Sequence, residues 1–197
     1  MQARLSASAL ACQRGERLLF AGVDFALAPG EALHVTGPNG VGKSSLLRLL
    51  AGLLRPLSGT VEREGAVALL DERPALDPDL PLERALGFWG GLDGHDALAD
   101  TLEALALGGL AHVPVRYLST GQRKRAALAR VVGQAAPIWL LDEPLSGLDT
   151  ASRALVDALV AQHCEGGGIV VAASHQPLGG APMRQLDLLA HAPEAAA

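Results

Sequence analysis

The run Gly37-Pro38-Asn39-Gly40-Val41-Gly42-Lys43-Ser44 constrains the fold of this 197-residue chain more than any other feature. It fits the phosphate-loop pattern GxxxxGK[ST] at every fixed position. Glycines there let the backbone curl so that successive N–H groups face one anion, and the helix that starts at the end of the loop adds its positive pole. Lys43 is placed to bridge the β- and γ-phosphates of a nucleotide, and the hydroxyl of Ser44, followed by Ser45, to ligate Mg²⁺. Such a loop works only between a strand and a helix. Residues 32–36 (ALHVT) supply a short apolar strand. From residue 43 to residue 54, Leu46, Leu47, Leu49, Leu50 and Leu53 follow a helical period, and Pro56 closes the segment.

The remaining segments extend this strand–loop–helix unit into an α/β architecture. Residues 17–27 read as extended, Pro29-Gly30 turns the chain, and residues 59–62 and 66–70 are two further strands. Residues 72–135 change character, with helices expected at 82–89, 95–107 and 121–132 broken by Pro and Gly. The α/β pattern then resumes with a strand at 138–141, a helix at 150–163 and a strand at 169–173. Strands alternating with helices predict a mainly parallel sheet. The expectation is one domain over 1–197, with a core of about 1–71 and 136–190, an N-terminal antiparallel β part and a helical subdomain at about 72–135. The alanine-rich end at 192–197 reads as a frayed tail.

The strand at 138–141 (IWLL) ends in Asp142 and Glu143. In isolation, two acids at a strand end are an ordinary solvated pair; beside a phosphate loop they match what phosphoryl transfer requires. Asp142 is placed to hold Mg²⁺ across from Ser44. Glu143, one residue beyond the strand, is placed to polarise the attacking water.

Leu118-Ser119-Thr120-Gly121-Gln122 resembles the LSGGQ signature of ABC ATPases, with Thr120 where glycine is usual. It opens the helix expected at 121–132, so Ser119 reads both as an N-cap and as part of an anion-binding helix start. On these motifs the chain is similar to the ABC cassette, a P-loop NTPase fold, over about residues 3–190. The resemblance implies ATP with Mg²⁺, and an ATP-bound homodimer in which Ser119, Thr120, Gly121 and Gln122 of one copy meet the γ-phosphate held by the other. It further implies that Ser146-Gly147-Leu148-Asp149 is the loop crossing that interface. His175, after the strand at 169–173, is implied to be the switch histidine that joins Glu143 in catalysis.

Two positions depart from the family pattern. A glutamine usually follows the strand at 66–70 and touches Mg²⁺, but none occurs between Gln13 and Gln122; Arg73 stands nearest by position, with Glu72 beside it. An aromatic residue usually stacks on adenine near the N-terminus. Arg14 occupies that place here, and a guanidinium plane can also stack on a base.

The narrower resemblance is to the haem-exporter ATP-binding subunits of bacterial cytochrome c maturation, carried by the length of the chain, by Ser174-His175-Gln176-Pro177-Leu178 and by Arg73 ahead of Ala75-Leu76. It implies two integral-membrane partner subunits that handle haem, and a place at the cytoplasmic face of the bacterial inner membrane. The residues themselves carry no haem-binding motif. Composition agrees with a cytosolic protein that meets a membrane through partners, because no apolar run approaches the ~20 residues of a membrane span and no secretory signal opens the chain. A net charge of −5, with Arg123-Lys124-Arg125 as the densest basic run, argues against nucleic-acid binding. Cys12 and Cys164 have no metal-ligand spacing and read as inert thiols. Two rival readings are a non-transporting ABC ATPase acting on DNA, ribosomes or iron–sulfur assembly, and a nucleotide-binding subunit that does not hydrolyse. The chain has no room for a coiled coil or second cassette, and Glu143 argues against the second rival.

Overall fold

A computed structural model describes residues 3–71, 75–94 and 98–193 of the chain. Glu72 and Arg73, and the first three residues of the helix expected at 95–107, lie outside the described residues.

The first sheet is antiparallel, with β1 (Arg4–Arg14) between β2 (Arg17–Leu27) and β4 (Ser58–Glu64). The sequence pattern showed β2 and most of β4 but not β1, whose alternation is interrupted. Its register shifts between Ala7 and Leu10, and Ala9 adopts a φ of 46°. The amide freed at this irregularity donates to the Asp24 carboxylate at 2.8 Å, so the bulge is satisfied from the neighbouring strand. Gly59 is required opposite it: a Cβ there would stand 2.4 Å from the carbonyl oxygens of Ser8 and Ala9.

The second sheet is parallel, in the order β5 (Val67–Leu70), β6 (Ile138–Asp142), β7 (Ile169–Ala173), β3 (Ala32–Thr36), β8 (Met183–Asp187). Every residue of β6 and β7 is buried, as expected of central strands covered on both faces. Successive side chains alternate between two cores. Ile138 and Leu140 join Ile169 and Val171 in the core beneath the antiparallel sheet, whereas Trp139 and Leu141 join Val170 and Ala172 in the core on the helical side. Strand β8 was not evident in the sequence because Arg184, Gln185 and Asp187 leave this edge strand little apolar pattern.

Helix α1 (Lys43–Leu50) follows the phosphate loop; α2 (Leu82–Asp93), α3 (Leu98–Ala104) and α4 (Thr120–Gly133) lie between β5 and β6 in chain order; α5 (Thr150–Glu165) precedes β7. Helix α1 stops earlier than its leucine spacing predicts. Gly52 takes a left-handed φ of 77° just past the cap at Ala51, which ends the helix and leaves Leu53 65% exposed. Helix α2 runs longer than expected, through Gly90-Gly91, with Leu82, Ala85 and Leu86 buried in the helical-side core. Among the described residues, no helix is long and apolar enough to cross a membrane. The carboxyl ends of the parallel strands converge where α1 begins, the edge at which open α/β sheets bind ligands.

Candidate functional site

The phosphate loop leaves β3 at Gly37 and enters α1 at Lys43. Gly37, Gly40 and Gly42 have φ values of 135°, 80° and 118°, conformations that side-chain-bearing residues rarely adopt. Space forbids a side chain as well: a Cβ on Gly37 would meet Val41 at 2.9 Å, and one on Gly42 would meet the Phe20 ring at 3.0 Å. Lys43, only 7% exposed, donates from Nζ to the carbonyls of Gly37 at 2.7 Å and Pro38 at 3.3 Å. The ammonium therefore sits inside the curl of the loop.

Opposite the loop, β6 brings Asp142 to the cavity that Ser44 also lines. Burial pushes the Asp142 carboxyl above the usual carboxylate range; the Ser44 hydroxyl opposes that shift, the nearby Asp71 carboxylate reinforces it, and Lys124 and Arg48 counter it. A hydroxyl and a carboxylate lining one cavity beside a phosphate loop form a hard-oxygen pair suited to Mg²⁺, which takes one or two protein oxygens and completes its shell from phosphate and water. Among the described residues, no group of three or more His, Cys, Asp or Glu could hold a metal ion.

Glu143 turns the backbone with a φ of 46°, unusual for a residue with a side chain, and its amide donates to the Ala173 carbonyl at 2.8 Å. Strain of this kind persists where the surroundings over-determine it, as at functional sites. The His175 Nε2 lies 3.0 Å from Asn39 Oδ1 and 3.8 Å from the Glu143 carboxylate, joining the loop, β6 and the end of β7.

A cavity of about 660 Å³ is lined in part by Gly40, Lys43, Ser44, Ser45, Asp142 and Glu143, whereas His175 stands outside its lining and reaches it through Asn39 and Glu143. Its size suits a nucleotide. Asp71, Arg123 and Lys124 line it too, and the sequence motifs did not single them out as site residues. Asp71 is the first residue after β5 and is gripped through both carboxylate oxygens by Arg48 at 3.0 Å. Its position at the carboxyl end of a strand beside β6 was the available signal. Lys124, the only lysine besides Lys43, donates to the Asp142 carbonyl at 3.1 Å.

The signature residues stand differently. Ser119 and Gln122 form a reciprocal capping box at the start of α4, with Gln122 N to Ser119 Oγ at 3.2 Å and Ser119 N to Gln122 Oε1 at 2.8 Å. Thr120 reaches the cavity rim, whereas Ser119, Gly121 and Gln122 are not among the lining residues. A Cβ on Gly121 would stand 3.2 Å from the Gly147 carbonyl, so the signature packs closely on the loop after Glu143. Arg14 is exposed at the β1–β2 turn and does not line the cavity, although Leu19 of the same hairpin does.

Residues 20–146 match the ABC transporter family. The chain is 56% identical over 174 residues to the cytochrome c biogenesis ATP-binding export protein CcmA of Novosphingobium aromaticivorans, covering 88% of this chain and 90% of that protein. It is 53% identical over 188 residues to the protein of the same name from Zymomonas mobilis, covering 94% and 85% respectively. A Pyrococcus furiosus chain described as an ABC transporter ATP-binding protein superposes with a TM-score of 0.85 at 23% identity, over 96% of this chain and 100% of that one. At that identity the last likeness concerns the fold alone.

Proposed function

This chain belongs to the ABC transporter family as an ATP-binding, ATP-hydrolysing subunit, and from that premise we propose that it drives the haem exporter of cytochrome c biogenesis. The observation that carries the proposal is the convergence of Lys43, Ser44, Asp142 and Glu143 on one cavity, with His175 standing 3.8 Å from Glu143, in a chain 56% identical to a cytochrome c biogenesis export protein.

In this reading, the loop amides of residues 37–45 and the Lys43 ammonium bind the phosphates of ATP. Ser44 and Asp142 hold Mg²⁺, which neutralises charge on the β- and γ-phosphates when bound. Glu143 orients the attacking water and accepts its proton, while His175, tied to Asn39, faces the γ-phosphate. Ser119, Thr120, Gly121 and Gln122 act on the nucleotide of a second copy: three of the four do not line the cavity of their own chain, and they open a helix whose first amides suit an anion. Arg14 offers a guanidinium plane to the base. The helical insertion at about 72–135, with Arg73 at its head, meets integral-membrane partner subunits at the cytoplasmic face of the inner membrane, and those partners rather than this chain handle haem.

The test is affinity purification of the tagged chain from its native membrane, with ATPase assayed before and after. Recovery of integral-membrane subunits, ATPase activity lost on Lys43→Ala and defective cytochrome c assembly in cells carrying that variant are expected. Full cytochrome c assembly with Lys43→Ala as the only copy would overturn the proposal.

A further inference from the structure

His34 lies on β3, three residues ahead of the phosphate loop, and is 6% exposed. Its Nε2 stands 3.0 Å from the Ser174 carbonyl oxygen and 3.1 Å from Ser174 Oγ. A carbonyl can only accept, so Nε2 carries the proton and the imidazole is the donor. The Ser174 hydroxyl, accepting from the same N–H, donates its own proton to the Gln176 carbonyl. From the other side, Arg153 of α5 donates to the Gln176 side-chain oxygen at 2.7 Å, and Asp157 of the same helix accepts from the Gly179 amide at 2.7 Å. Both neighbours of His175 are therefore tied down, one from β3 and one from α5.

The fold creates the need for this donor. Strand β7 ends at Ala173, and Ser174 is 3% exposed, so its carbonyl points into the interior beyond the last rung of the ladder. A buried carbonyl must find a partner. In the β3–β7 register His34 lies beside Ala172, and its ring reaches forward past that pairing to supply one. An aliphatic residue could occupy the same place in a buried strand, but it could not donate.

We propose that His34 is a positioning residue for ATP hydrolysis, fixing the strand that feeds the phosphate loop to the segment that carries His175. Loop and switch then keep one spacing, at which His175 reaches Asn39 and stands 3.8 Å from Glu143. The inference rests on the reading of His175 as the switch histidine.

Steady-state ATPase, binding of a non-hydrolysable ATP analogue and thermal unfolding of the full chain are compared for wild type, H34L, H34Q, H34N, H175A and H34L/H175A. H34L should lower kcat by roughly tenfold or more while the KM for ATP and analogue affinity change by under about twofold. Glutamine carries an N–H close to the place of Nε2, so H34Q should recover most of the turnover; the shorter H34N should not. The double variant should be no slower than H175A, because both changes act through one group. Wild-type kcat in H34L, equal turnover in H34Q and H34N, or additive losses in the double variant would each overturn the proposal. If H34L does not fold, the H34Q and H34N pair still decides it. H175A with wild-type turnover would sink the underlying reading of His175, whereas a slow H175A beside an unaffected H34L would sink the His34 proposal alone.

Discussion

At the scale of single residues, charge and backbone conformation set the site. Lys43 is the lysine inside the loop, and Lys124 is engaged with the Asp142 carbonyl, so no second ammonium substitutes for it. Lys43→Ala should abolish ATP binding, measured by titration with a fluorescent nucleotide; wild-type affinity would refute the assignment of the loop. Glu143 combines a strained φ of 46° with the role of base proposed for it. Glu143→Gln keeps the shape and removes the charge, so hydrolysis should fall by roughly 10²–10⁴ while ATP still binds. Relief of repulsion with the γ-phosphate should then let an ATP-bound dimer accumulate on gel filtration. Asparagine tolerates left-handed backbone better than glutamate. Glu143→Asn should therefore also lose hydrolysis yet gain about 1 kcal/mol of stability, read as a higher Tm. A lower Tm would mean that the surroundings, not the backbone, decide the energy at this position.

At the scale of elements, the amino ends of the strands carry a device unrelated to the nucleotide. His163, in the last turn of α5, stacks on Trp139 of β6 with ring centroids 3.8 Å apart and planes 11° from parallel. Burial lowers its pKa, and the nearby backbone of Pro137 and Ile169 opposes that shift only in part. The folded state therefore favours the neutral ring, and the unfolded state binds the proton more readily below the ordinary histidine value of about 6.5. The stability His163 contributes is complete above that value and is lost as pH falls through its folded pKa. Thermal unfolding followed from about pH 7.5 to about pH 5.5 should show a steeper loss of Tm for wild type than for His163→Phe, which keeps the stack without titrating. Parallel slopes would remove the α5–β6 contact as an acid-sensitive joint.

At the scale of the whole molecule, one chain brings the loop and the acids to one cavity, and of the four signature residues Ser119 to Gln122 that cavity is lined by Thr120 alone. If the signature serves a second copy, ATPase rate should rise faster than linearly with protein concentration in the dilute range, and strict proportionality would refute the composite site. The candidate nucleotide site was legible in the sequence because its parts are local: a phosphate loop needs its glycines at fixed places within a few residues, and a strand ending in Asp142-Glu143 announces itself over six residues. The signature and the family were legible for the same reason. Strands β1 and β8 were not, since a bulge at Ala9 and an edge position, respectively, erase the period-2 pattern on which a strand is recognised. The grip of Arg48 on Asp71 and the link from His34 to Ser174 were out of reach too. Each joins residues far apart in the chain, 23 positions for Arg48 and Asp71 and 140 for His34 and Ser174. The sequence by itself determined the ATP-binding family and the residues proposed to meet the phosphates, because both are carried by short contiguous segments. Only the tertiary structure decided how the segments are held at working distance, because parallel-strand order, and the buried carbonyls it leaves to be satisfied, exist only once distant strands lie side by side.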